Sequence, residues 1–407
     1  MTIRGFILVL FIVLVCEARA QQRTFADSVM GVYKLHDVSQ NVVNNREALA
    51  GFYEKLFQLK SNDGGVVNIV HIGDSHIQAD YLTSVVRRHL QQYFGNAGRG
   101  LVVPYQVAGT NTPPNIISTS DTIWRAKRCV HVLDTLPIGI GGITIATHAR
   151  EATLNFIMND LWMEYPFQKV GIFTEPFHGT IIINDTSGVK LAKFPADTTS
   201  FFQTSFPENI SSISLQFSQT SLSQEPILFY GVNLLSGTPG VVYHAIGVNG
   251  AKYEHYNAAA KFVDQTSSLN PDLFIISLGT NEAIKYPVMD ENIESHVRTL
   301  INSLKQKNPN AAYLLITPPD AFRQKTKPNP GIKTVRKAIL NVAVENGLSF
   351  YDLYKAIGGD KSAQAWHAAG LLRSDGVHFS KDGYAYQGSL FFNALMNGYN
   401  EYVSLRR

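Results

Sequence analysis

The run Val66-Val67-Asn68-Ile69-Val70-His71-Ile72 is β-branched, almost continuously apolar, and breaks off abruptly at Gly73-Asp74-Ser75. Such a run predicts a strand buried on both faces, as in a parallel sheet. An apolar-periodic segment from Tyr81 to Phe94 follows and predicts a helix. A serine in a strand-to-helix turn is held above the sheet edge, beside the N–H groups that open a helix. Ser75 is therefore a candidate nucleophile. The competing reading is a plain turn in which Asp74 or Ser75 caps the helix.

The rest of the chain sets bounds on that choice. A length of 407 residues points to two or three domains, and 45% hydrophobic with 16% charged residues supplies ordinary core material. Arg4, the apolar stretch Phe6 to Val15 and Ala18-Arg19-Ala20 compose a secretory signal peptide over residues 1–20, with cleavage expected after Ala20. A lipid anchor at Cys16 is the rival, disfavoured by the bulk of Val15. The expected location is periplasmic or secreted. The apolar run is too short to span a membrane comfortably, and no later stretch reaches that length, so no membrane span is expected. Losing Arg4, Arg19 and Glu17 lowers the formal charge from +3 to +2, which offers no footprint for nucleic acid. Cys129 is then the one remaining cysteine, which excludes a disulfide framework and a thiolate metal cluster.

Two textures alternate along the chain. Leu49, Phe52, Leu56 and Leu59 predict a helix over 46–59, ahead of the first strand. From about Val107, short apolar runs punctuated by glycine, proline and threonine predict a β-sandwich or jelly roll over 107–238. This module is expected as an insertion in a domain made of 21–106 and 239–407. After Gly240 the α/β rhythm resumes, with strands at 241–246, 272–278, 312–317 and 348–351 and helices at 251–264, 290–306, 332–346 and 380–397. With the first strand this makes a doubly wound, five-stranded parallel sheet.

In such sheets ligands sit beyond the carboxyl ends of the strands. Four loops deliver polar residues there: Ser75, Gly247-Val248-Asn249-Gly250, Gly279-Thr280-Asn281-Glu282 and Asp375-Gly376-Val377-His378. A serine hydroxyl needs an imidazole to take its proton, and His378 is the candidate base. Asp375, three residues earlier, can reach the far side of that ring. Attack on an acyl carbon needs donors aimed at the developing oxyanion. The backbone N–H groups of Ser75 and Gly250 and the amide of Asn281 can provide them.

The blocks GDSH (73–76), GVNG (247–250), GTNE (279–282) and DGVH (375–378) resemble, in order, those of the SGNH/GDSL hydrolase superfamily. The resemblance covers about 60–106 and 239–400. It implies Ser75 as nucleophile, Gly250 and Asn281 as oxyanion donors, His378 as base and Asp375 as third triad member. His76 stands where the family name has leucine, and Gly247 is an alternative donor if the loop is shifted. The GDSHIQAD opening, the β insertion and the leader look most like peptidoglycan O-acetylesterases, whose inserted module resembles a carbohydrate-binding domain. The implied activity is removal of O-acetyl groups from a glycan, with peptidoglycan foremost, through an acetyl-enzyme and without a cofactor. The alternatives are an esterase of the same mechanism acting on another acetylated polysaccharide or on lipid, and a glycan-binding or acetyl-transferring protein.

Other residues have plainer readings. Asp74 is expected to cap the helix or brace the turn, His76 to be structural or to line the substrate site, and His71 to be a hydrogen-bonded core histidine. Glu282 is a candidate brace behind Asn281. His255, His296 and His367 are read as surface or packing residues. Asp74, His76 and Asp80 resemble a ligand cluster, but the serine among them and the distant Asp/His pair fit hydrolysis better, so no metal is expected. Trp124, Trp162 and Trp366 can stack on sugars, with Trp366 the best placed, although packing is the default. Cys129 is expected to be an inert packed thiol.

Overall fold

The computed structural model describes residues 33–61, 64–159, 163–220 and 225–406. The leader at 1–20 and Trp162 lie outside them. Its central sheet runs in the order Val43–Asn44, Ser349–Tyr351, Ala312–Ile316, Leu273–Ser277, Val66–Gly73, Gly240–Gly247. The last five are mutually parallel and, counted along the chain, lie in the doubly wound order 2-1-3-4-5. Val66–Gly73 thus sits between Leu273–Ser277 and Gly240–Gly247, and Ile69, Val70 and Ile72 are fully buried.

The sheet has a sixth strand that was not expected. Val43–Asn44 joins the edge antiparallel to Ser349–Tyr351, pairing Val43 with Tyr351 and Asn44 with Phe350. Two residues are too few for a period-two signal, so the polar segment around them reads as surface wrapping.

The helix Tyr81–Phe94 has the bounds its periodicity predicts. The helix expected over 251–264 is instead two short ones, Tyr253–Asn257 and Phe262–Ser267. The break coincides with Lys261, whose N–H donates to Ile138 O at 3.0 Å rather than continuing the helical ladder. The closing helix Lys381–Ser404 starts at Ser380, whose hydroxyl accepts from Gly383 N–H. Among the described residues, no helix is long and apolar enough to cross a membrane.

Between Gly73 and Gly240 lie two antiparallel sheets. One orders Lys190–Pro195, Gly179–Asn184, Ser212–Gln219, Glu151–Met158 and Ile116–Ser120; the other orders Phe201–Ile210, Phe167–Thr174, Ile227–Leu235, Ile143–Thr147 and Arg125–Arg128. Ser212–Gln219 shows the driving pattern: Ile213, Leu215 and Phe217 point inward while the serines and Gln216 are partly exposed. These side chains meet Leu154, Phe156, Ile181 and Phe229 in an apolar core. The short strand Gly100–Val102, upstream of 107, pairs with Ile227–Leu235 and so ties the second sheet to the chain leaving the helix Tyr81–Phe94.

Candidate active site

The strand Val66–Gly73 ends where a side chain would not fit. A Cβ on Gly73 would lie 2.2 Å from Ile77 Cγ1 and 2.9 Å from Ser277 O. Asp74 then caps the helical turn Ser75–Gln78, its Oδ1 accepting from His76 N–H at 2.9 Å. The turn aims Ser75 at a loop 300 residues away in sequence, where its Oγ lies 2.8 Å from His378 Nε2.

The loop bearing His378 is clamped from several directions. Asp375 Oδ1 accepts from the N–H groups of Val377 and His378, both at 2.8 Å, and Asp375 Oδ2 lies 3.1 Å from His378 Nδ1. Burial would raise the Asp375 carboxyl, but the hydrogen bonds from His378 and Val377 outweigh it and hold the group below its usual range. Gly376 sits at φ +77°, and a Cβ there would come within 2.8 Å of Lys325 O. Its carbonyl accepts from Phe322 N–H at 2.7 Å.

The opposite wall comes from the other two loops. Gly250, at φ +81°, lines a cleft of about 850 Å³ together with Ser75, Asn249, Asn281, Asp375 and His378. Space is not what its position demands: an added Cβ would meet only Val130 Cγ1, at 3.9 Å. The left-handed backbone is the constraint. Gly247 lies elsewhere. A Cβ on it would fall 2.2 Å from Gln78 N, and its carbonyl accepts from Tyr105 OH, so it packs under the serine turn rather than facing the cleft.

Asn281 also lines the cleft, but its Nδ2 donates to Ala251 O at 3.0 Å and Asp74 Oδ2 at 3.2 Å. Burial, helped by the nearby Glu282 charge, pushes the Asp74 carboxyl up to about 7. Glu282 is buried, also pushed up to about 7, and accepts from Tyr253 N–H at 2.9 Å.

Several neighbours are engaged elsewhere. His76 is buried, with Nδ1 2.9 Å from Tyr384 OH, and burial followed by the His378 charge drives its imidazole down to about 3. Asp80 is gripped by Arg87 Nη2 at 2.6 Å and Arg99 Nη2 at 2.8 Å, all three side chains nearly inaccessible. A carboxylate so paired is not offered to a metal. His71 bridges Tyr243 OH and Ser277 Oγ, each at 2.7 Å, in the core. Trp366, the tryptophan best placed for sugar contact on sequence grounds, is fully buried; it stacks on Tyr386 and donates to Ile357 O.

Gln78 is a residue that sequence reasoning passed over. Its Nε2 donates to Thr110 Oγ1 at 3.0 Å and Asn111 O at 2.6 Å, while its Oε1 accepts from Asn249 N–H at 2.7 Å. One buried amide thereby joins the serine turn, the glycine loop and a segment near 110 that lends Asn111 and Thr112 to the cleft. Its signal was a polar side chain three positions after Ser75, on the same helical turn.

A nucleophile–base–acid chain opening on a cleft, with glycine and amide loops opposite, is an arrangement suited to acyl transfer. Comparison with known proteins points the same way. Residues 219–386 match the GDSL-like Lipase/Acylhydrolase family, a stretch that holds the glycine, asparagine and Asp/His loops but not Ser75. No curated protein matches the sequence. Among solved structures, a peptidoglycan O-acetylesterase is similar at TM-score 0.72 and 22% identity, covering 86% of this chain and 96% of its own. A lipase/acylhydrolase from Enterococcus faecalis is similar at TM-score 0.31 and 24% identity over 39% of this chain and 77% of its own. The first likeness concerns the fold alone, and the second is too partial to carry an argument. Residues 219–386 are thus similar to the GDSL-like acylhydrolase family, within a fold like that of the O-acetylesterase.

Proposed function

We propose that the protein is an exported serine esterase that removes O-acetyl groups from a glycan, with peptidoglycan as the foremost substrate. The observation that carries this reading is the chain from Ser75 Oγ through His378 to Asp375, open to the cleft. In it, His378 takes the Ser75 proton as the oxygen attacks the acetyl carbonyl. Asp375 holds the ring and balances the imidazolium that forms. The N–H groups of Ser75 and Gly250 receive the oxyanion, and Asn281 joins them by giving up its longer contact, the one to Asp74. His378 then returns the proton to the departing sugar oxygen, leaving an acetyl group on Ser75. Water, deprotonated by the same imidazole, releases acetate and restores the serine.

The polymer substrate is supported by the breadth of the cleft and by the fold shared with a peptidoglycan O-acetylesterase. The leader read at 1–20 would carry the enzyme to such a polymer, and the β module over 107–238 would form a wall against it. Acetate release from purified O-acetylated peptidoglycan, set beside acetylxylan and longer acyl esters, tests the assignment. Fastest release from peptidoglycan is expected. Faster turnover of acetylxylan or of a long-chain ester would replace the substrate while keeping the mechanism.

A further inference from the structure

Beside the cleft lies a second cavity, of about 280 Å³, lined among others by Tyr253, Glu254, Glu282, Asp290 and His296. We propose that Glu254, Asp290 and His296 form a binding site for a divalent cation of the zinc or manganese type. This goes beyond the esterase reading and does not depend on it.

The donors come from two packed elements. Glu254 stands on the helix Tyr253–Asn257, whose Asn257 amide donates to His296 O at 3.0 Å. His296 is in the first turn of the helix Ile293–Lys307, and Asp290 is in the turn that leads into it. Each offers one donor atom, and these atoms lie within 4.8 Å of one another. His296 Nε2 and Asp290 Oδ2 are already 3.1 Å apart. Lys252 Nζ donates to Glu254 Oε1 at 2.9 Å, and Asn292 N–H donates to Asp290 Oδ1 at 2.8 Å. The Asn292 contact favours the ionised Asp290 carboxylate that a cation requires, and the partly buried Lys252 ammonium is the charge that a cation would displace from Glu254.

A separate observation points to an occupant. Glu282 lines the same cavity, is 8% exposed, and its Oε2 is buried with no hydrogen-bond partner. A buried carboxylate oxygen without a donor is costly, and such groups in folded proteins call for an explanation. Water bound to a cation in this cavity would offer the donor that this oxygen lacks. Three protein donors plus water is also a common coordination count for zinc. The mixture of one imidazole and two carboxylates favours zinc or manganese over calcium or magnesium, which prefer oxygen donors alone.

The site would couple to the cleft through the chain itself. Glu254 lies on the helix that follows the Gly250 loop, and Glu282 directly follows Asn281 in the turn Thr280–Ala283. A cation joining the helix Tyr253–Asn257 to the Asp290–His296 turn would pin the far sides of both loops.

The test uses the full chain, stripped with a chelator and titrated with zinc chloride alone, with bound metal counted by elemental analysis and the thermal midpoint recorded. Wild type is expected to bind one equivalent and to gain several degrees at saturation, because a ligand that binds only the folded state stabilises it. His296→Ala and Asp290→Asn are each expected to lose that equivalent and that gain while keeping the metal-free midpoint. If His296→Ala does not fold, Asp290→Asn decides. Absence of zinc uptake by wild type, or equal uptake by wild type and a folded variant, overturns the proposal.

Discussion

The parallel α/β unit and the antiparallel sheets solve burial in opposite ways. The sandwich core is composed of Ile, Leu, Val, Phe, Ala and Trp124, and Lys127 is the one charged side chain buried among the described residues of 107–238. The α/β unit buries His71, His76, His89, His244, Asp74, Asp80, Arg87 and Glu282 as well. Polar groups taken out of water must be partnered, and the partners fix their positions. The α/β unit therefore holds its loops through polar contacts such as the Asp80–Arg87–Arg99 cluster and the Gln78 amide, and the sandwich holds its shape through packing.

Substitutions can break that contrast. The largest effect belongs to Ser75→Ala, which should lower kcat/KM for p-nitrophenyl acetate by about 10³-fold or more with little change in stability. Turnover that survives the change would remove the esterase reading. Next is Phe217→Ala. Its ring is fully buried against Trp124, Phe177 and Phe229, so about 3–5 kcal/mol of unfolding free energy should be lost by urea titration. The kcat for a small ester should stay unchanged in the folded fraction; a fall would show the sandwich acting on the catalytic loops.

The pH dependence of stability should follow the buried groups of the α/β unit. Burial holds His71, His76 and His244 down to about 3 and His89 to about 4, so below pH 6.5 the unfolded chain binds protons that the folded chain refuses. Stability is lost as pH falls through that window. Asp74 and Glu282, both raised to about 7, act in the opposite sense, because the folded state takes up their protons first. The lowered histidines outnumber the raised carboxylates, Asp320 included, so stability should fall between pH 6 and 5. Urea midpoints measured across that range check the sign, and a flat profile would dissolve the contrast. Smallest is Gly250→Ala, for which the left-handed backbone should cost about 1–2 kcal/mol with no steric clash. A loss of kcat beyond that expected from the strain would sharpen the role of its N–H.

The same contrast decides what could be read from the sequence. Val66 to Ile72 announced its strand because burial on both faces leaves an unbroken apolar run, whereas Ser212–Gln219 buries only one face, as the structure shows. Two helices, Leu353–Ala356 and Ser362–Ala368, separate Asp375 and His378 from Ser349–Tyr351, whereas the serine, glycine and asparagine loops of the candidate site were legible as chemistry-bearing residues just after strands. Val43–Asn44 was not, because an edge pair of two residues leaves no period. Arg87, in the helix Tyr81–Phe94, carries no sequence mark of its tie to Asp80, since that pairing depends on how the helix meets the preceding turn. The two donors already spent by Asn281 were equally hidden, for Ala251 and Asp74 reach it only after the fold closes.

The position of Val66–Gly73 in the sheet has a consequence for biogenesis. Both strands that flank it, Gly240–Gly247 and Leu273–Ser277, leave the ribosome only after the antiparallel sheets have been made. The middle of the platform is thus born early and waits, with two sticky edges, for neighbours that arrive late. Hydrogen exchange on chains truncated after Leu235 should find Ser212–Gln219 protected and Val66–Gly73 unprotected, and protection of Val66–Gly73 in them would refute that order.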